Sequence, residues 1–127
     1  MKLQGKVETG YGKAQQFLDK KPYKEKIKQE IGFKPFPGTL NLEVRPEKLE
    51  KIMENSRKER VESFEHRGEK QGGLDLYPGQ FEGLEVAIVD PDRSLHGMGT
   101  AEILASVKLR EKLGLEDGDE VEIQFPR

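Results

Sequence analysis

The stretch GFKPFPGTLNLEV, residues 32–44, organises the reading of this chain. Pro37-Gly38 is a turn pair, and a β-strand follows it over Thr39–Val44. Leu40, Leu42 and Val44 alternate with Thr39, Asn41 and Glu43, so one face is apolar and the other polar. Thr39 and Asn41 share a face and present a hydroxyl and an amide carbonyl side by side. Both are hard oxygen ligands of the kind Mg2+ accepts when it already holds phosphates and water. The plainer reading of the same spacing is a solvent-facing Thr and Asn, and spacing alone favours it.

Outward from this strand, short elements alternate with turns. Lys2–Thr9 forms a first strand with Leu3 and Val7 on one face. GYGKAQQFLD follows, with helix-favouring residues from Ala14. KPYKEKIKQEIGF spaces Tyr23, Ile27 and Ile31 at helical intervals and stops at Gly32. Pro46 opens a second helix with Leu49, Ile52 and Met53 on one stripe. Ser56–Gly73 is highly charged and reads as a mobile connection or a short edge hairpin around His66–Gly68. Leu74–Pro78 and Leu84–Val89 are strands separated by GQFEG, and Ala101–Ala105 is another. The end of the chain reads as a short helix, a turn at Asp117-Gly118 and a strand through Val121, Ile123 and Phe125. This pattern predicts a mainly β fold with short helices, a small closed barrel of about six strands.

Composition sets limits on function. The 127 residues suit one domain, with 36% charged and 33% hydrophobic residues. Twenty-two Lys and Arg nearly cancel 24 Asp and Glu, for a formal net charge of -2. That balance argues against a protein that coats nucleic acid by charge, although Lys and Arg are dense over Lys20–Lys28. The absence of cysteine excludes disulfides and thiolate metal sites. No apolar run reaches membrane-spanning length and no signal-peptide core is present, so the expectation is a cytoplasmic protein with no membrane partner.

Besides Thr39 and Asn41, three groups of residues could carry chemistry. Gly10-Tyr11-Gly12-Lys13-Ala14 follows a strand and precedes a helix, so its N–H groups could face an anion. It lacks the GK[ST] ending of a Walker A loop and the third glycine of a dinucleotide fingerprint, and for a lone GxG a glycine-rich turn is the favoured reading. Ser94, His96 and Glu102 contain the residue types of a hydrolase triad, but no G-x-S-x-G elbow surrounds Ser94. Glu102 lies within an apolar strand, where it either reaches water at an edge or hydrogen-bonds a ligand. Val107, Lys108, Leu109 and Arg110 open the last helix, with two cations that bind phosphate or form a solvated face. This segment and the strand after it also look like the AbrB-type swapped-hairpin DNA-binding proteins.

In order along one chain, GYGKAQQFL, PYKEKIKQEIGFKPFPGTLNLEV and AIVDPDRSLHGMGTAEILASVKLREKLGLEDGDEVEI closely resemble the archaeal CTP-dependent riboflavin kinases. The resemblance covers nearly the whole chain, and GFxPFxGTLNL is its most specific element. It implies a cradle-loop barrel related to AbrB-type proteins, spanning 1–127 as a single domain without the N-terminal winged-helix domain some members carry. It implies transfer of the γ-phosphate of CTP to the 5′-hydroxyl of riboflavin, giving FMN and CDP. By position, Gly10, Tyr11, Gly12, Lys13, Ala14 and Gln15 would surround the nucleotide phosphates. Thr39 and Asn41 would bind one Mg2+ ion, Ser94 and Glu102 would contact the flavin, and Val107, Lys108, Leu109 and Arg110 would form a second nucleotide-binding stretch. Ser94 stands where the family commonly has threonine, and the hydroxyl is kept. No general base is identified; Glu102 is the nearest candidate by type. No nucleic acid and no obligatory protein partner is implied. The alternatives are an AbrB-like DNA-binding regulator and a non-catalytic flavin- or nucleotide-binding module.

Overall fold

A computed structural model of the chain describes residues 1–10, 18–92 and 99–126. Strand β1 (Lys2–Glu8) is followed by helix α1 (Lys21–Ile31), β2 (Leu40–Val44) and α2 (Pro46–Asn55). Three short strands come next: β3 (Glu59–Val61), β4 (Phe64–His66) and β5 (Glu69–Gln71). The long hairpin β6 (Leu74–Phe81) and β7 (Leu84–Pro91) leads to β8 (Thr100–Ala105), α3 (Leu109–Leu113) and β9 (Glu120–Gln124).

The main sheet runs β3-β6-β7-β8-β2-β1-β9, all antiparallel, and β6 also pairs with β9 through Gln80 and Gln124. Six strands therefore close into a barrel with β3 added outside the ring. Alternation fills the interior. Leu3 and Val7, Leu40, Leu42 and Val44, Val86 and Ile88, and Val121 and Ile123 all point into one apolar cluster. Helix α2 adds Leu49 and Ile52 to that cluster, and α3 adds Leu109. The seam needs close approach: a Cβ on Gly79 would lie 2.6 Å from the Gln124 carbonyl oxygen. That glycine lets β6 and β9 meet.

A second apolar cluster lies outside the barrel. Leu74, Leu76, Ala87, Val89 and Leu104 face outward from β6, β7 and β8, and Leu18, Tyr23 and Ile27 cover them. Helix α1 thus buries the i, i+4 stripe expected of it, and it ends at Gly32 with φ 86°.

Two expectations change in detail. GQFEG is not a break, because β6 runs through Phe81 and the turn is the two residues Glu82 and Gly83 alone. Both have positive φ, 50° and 76°, the geometry that matches the twist of a tight hairpin. The charged segment 56–73 is paired backbone and not a bare connection. β3 joins β6, and β4–β5 is the edge hairpin, turning at Arg67-Gly68. Phe64 anchors the hairpin to α1, edge-on to Tyr23 at 5.0 Å and under the Lys26 ammonium at 4.7 Å.

Candidate functional site

A cleft of about 380 Å³ opens where β1, β2 and β8 end beside α3. Its lining draws on Glu8, Thr9 and Gly10, on residues 36–41, on Ile103 and Ala105, and on residues 107–110. Backbone bonds shape one wall. The Phe36 amide donates to the Ala105 carbonyl at 2.7 Å, which ties the PFPG segment to the end of β8. The Gly38 amide donates back to the Phe36 carbonyl at 2.8 Å, a three-residue turn centred on Pro37. This turn delivers Thr39 and Asn41 into the cleft.

Asn41 is buried, at 7% exposure, which the plainer sequence reading did not expect. Directly opposite it in the β2–β8 register is Glu102, at 5%. Among the described residues these are the two buried polar side chains. Burying such groups is costly unless they are engaged, so a cross-strand pair of them is a candidate site feature. Thr39 Oγ1 donates to Asn41 Oδ1 at 3.4 Å, too long for a strong O–H···O bond. The two oxygens therefore lie side by side while bound to each other weakly. That spacing is close to the roughly 3 Å between neighbouring oxygen ligands of one small hard cation. The donors fit such an ion. Because both are neutral, its charge would have to be balanced by a bound anion.

Gly10 abuts this pair. A Cβ there would lie 1.7 Å from Asn41 Nδ2, so no side chain fits without displacing the amide. The structure thus brings Gly10, Thr39, Asn41, Val107, Lys108, Leu109 and Arg110 around one cleft, with Glu102 behind Asn41. Tyr11, Gly12, Lys13, Ala14 and Gln15, and likewise Ser94, lie outside the described residues.

The cations of the last wall are held differently. Lys108 makes an exposed ion pair with Glu111 at 3.4 Å. Arg110 Nη2 bonds Asp117 Oδ1, and Thr9 Oγ1 donates to Asp117 Oδ2 at 2.8 Å. Both bonds favour the ionised carboxyl, Arg110 more than Thr9, and hold Asp117 below the usual carboxylate range. Asp117 was read from the sequence only as a turn residue. Its partners are seven and 108 positions away, so no local pattern signals the contact. Glu8, which accepts from Thr100 Oγ1 at 3.2 Å, was missed for the same reason.

Fold and site together define a closed six-stranded antiparallel barrel with a polar, partly cationic cleft on its flank. Residues 7–125 match the family model CTP-dep_RFKase, described as a domain of unknown function, DUF120. The chain belongs to that family. It is 38% identical over 125 residues to a riboflavin kinase of Methanocella arvoryzae, covering 95% of this chain and 55% of the relative. It is 35% identical to a riboflavin kinase of Ignicoccus hospitalis, over 95% of this chain and 69% of the relative. A riboflavin kinase of Archaeoglobus fulgidus is 32% identical, over 98% and 54%. The chain therefore spans between about half and two thirds of the length of these relatives. Among the described residues, no helix is long and apolar enough to cross a membrane.

Proposed function

We propose that this chain is a riboflavin kinase barrel that takes CTP as phosphate donor and releases FMN and CDP in the cytoplasm, acting as one domain over 1–127. The observation that carries the proposal is the buried Asn41–Glu102 pair beside a cleft that Gly10 and residues 107–110 also line. The family match and the riboflavin kinase relatives support the same reading.

Phosphoryl transfer asks for positioning and charge neutralisation more than covalent chemistry. The 5′-oxygen of riboflavin forms a bond to the γ-phosphorus as the bond from phosphorus to the β,γ-bridging oxygen breaks. The hydroxyl proton leaves to solvent or phosphate. Thr39 and Asn41 would hold Mg2+, which when bound offsets phosphate charge. Arg110 and Lys108 supply fixed positive charge at the cleft. Gly10 allows the phosphates to approach backbone. Ser94 and Glu102 are assigned to the flavin side, and Glu102 is oriented by its strand beside Asn41.

The test is incubation of the purified protein with riboflavin, Mg2+ and, in parallel, CTP, ATP, GTP or UTP, with FMN read by chromatography. FMN formed chiefly from CTP is the expected result. Equal FMN from ATP would break the nucleotide assignment and keep the kinase. No FMN from any triphosphate would overturn the proposal.

A further inference from the structure

Arg110 lines the cleft, yet the residue that holds its guanidinium stands outside the cleft lining. Among the described residues Asp117 is the partner of Arg110, through one Nη. A guanidinium has five N–H donors in a rigid fork, so most of them stay available to an anion in the cleft. The second oxygen of Asp117 takes the Thr9 hydroxyl, one residue before Gly10. One carboxylate thereby joins two stretches that line the cleft, 8–10 and 107–110.

The turn that carries Asp117 is itself fixed. The Gly118 amide donates to the Val7 carbonyl at 2.8 Å, and the Val7 amide donates to the Asp119 carbonyl at 2.9 Å. The Glu116 amide donates to Asp119 Oδ2 at 2.8 Å. Asp117 thus has a rigid base. Its side chain is 58% exposed, against 32% for Arg110, so water screens its charge. An exposed pair of this kind adds little to stability. What it supplies is geometry: an arginine held in advance loses less freedom when it meets a ligand.

We propose that Asp117 is a positioning residue for a polyphosphate donor, aiming Arg110 into the cleft and tying the Thr9–Gly10 corner to the same point. This rests on the cleft being the nucleotide site. The proposal has a sign that simple charge does not share. Removing a negative charge beside the cleft should tighten anion binding if Asp117 acts only through its field. If it acts by positioning, removal weakens binding.

The experiment measures binding of CTP and of inorganic tripolyphosphate to the full chain by calorimetry, with riboflavin binding read separately by flavin fluorescence. Asp117→Asn is expected to weaken both phosphate probes about tenfold, with riboflavin affinity unchanged; tenfold is ~1.4 kcal/mol. In an Arg110→Ala background the same change should have no weakening effect. Unchanged or tighter binding in Asp117→Asn overturns the proposal, as does equal weakening in both backgrounds or a wild type that binds neither probe. Arg110→Lys is the second variant, used if Asp117→Asn fails to fold. It keeps the charge but not the fork, and should lose as much; wild-type affinity there also overturns the proposal. Phosphate probes that bind with this coupling, in a protein that makes no FMN, would remove the kinase reading and leave the Asp117 role standing.

Discussion

Glu102 and Leu104 sit two residues apart on β8 and face the same side of the sheet, outside the barrel. Both are buried, at 5% and 0%. Leu104 packs with Ala87 and Val89 under Tyr23 and Ile27 of α1. Glu102 instead faces Asn41 across the strand pair. One stretch of outer wall is thus finished with an apolar cover, and the next keeps two polar groups. An apolar cover stabilises in proportion to the area it removes from water. A buried amide and carboxylate are costly unless engaged, and Asn41 is engaged by Thr39.

The largest effect should come from removing the polar side of this contrast. Thr39→Val with Asn41→Leu keeps size and β propensity and deletes both oxygens. FMN formation should fall at least ~1000-fold, about 4 kcal/mol of barrel-independent activation free energy. The thermal midpoint should stay near wild type, and unchanged turnover would break the assignment of these residues. The mirror experiment attacks the covered wall. Leu104→Ala, in a fully buried position, should cost ~2–5 kcal/mol of stability by denaturant unfolding. Turnover per folded molecule should be unchanged, and a loss of turnover in that variant would mean the two regions are not separable.

Two glycines sharpen the comparison at smaller amplitude. Neither Gly79 nor Gly10 has room for a Cβ, with obstacles at 2.6 Å and 1.7 Å. At Gly79 the obstacle is backbone of β9, so Gly79→Ala should strain the barrel seam and cost about 1–3 kcal/mol of stability. At Gly10 it is the Asn41 amide, which can turn aside. Gly10→Ala should therefore spare the melting temperature and lower FMN formation about tenfold, ~1.4 kcal/mol. Melting curves and turnover measured on the same samples separate the two outcomes.

The sequence reveals the parts of this arrangement that repeat locally. Alternation on β2 and β9 and the Tyr23–Ile27–Ile31 spacing of α1 report burial within a few residues, and the barrel class follows from them. Closure does not, because the β6–β9 seam joins residues far apart, and its glycine looks like a strand break until its neighbour across the seam is seen. The candidate site was legible as residue types: Gly10, Thr39, Asn41, Glu102 and 107–110 were all named. Their company was not. That Asn41 is buried against Glu102, or that Asp117 clamps Arg110, depends on pairings 61 and seven positions apart that no periodicity encodes.

A second, partly exposed polar cluster on the barrel tests whether clustered charge alone marks a site. Arg60 bonds Asp75 at 2.9 Å and grips both oxygens of Asp92, at 2.9 and 2.6 Å. Asp90 is the cross-strand neighbour of Asp75, and Arg60 does not bond it. Arg60, Asp75 and Asp92 answer one another within the protein, so their effects should appear in stability. Burial, then the nearby charges of Asp75 and Asp92, raise the Asp90 carboxyl above its ordinary 3.8. The hydrogen bond from Arg60 lowers that of Asp92. The signs are opposite. For Asp90 the folded state resists ionisation, so a penalty absent below the ordinary carboxylate value grows as pH rises through the raised one. For Asp92 the folded state favours ionisation, so a gain present above the ordinary value is lost as pH falls through the lowered one. Asp90→Asn should therefore raise the melting temperature at pH 7 and leave it unchanged at pH 3, whereas Asp92→Asn should lower it at pH 7 by more than at pH 3. Melting curves across pH 2–7 decide the matter. Parallel slopes for the two variants would mean that Arg60 does not discriminate between these carboxylates.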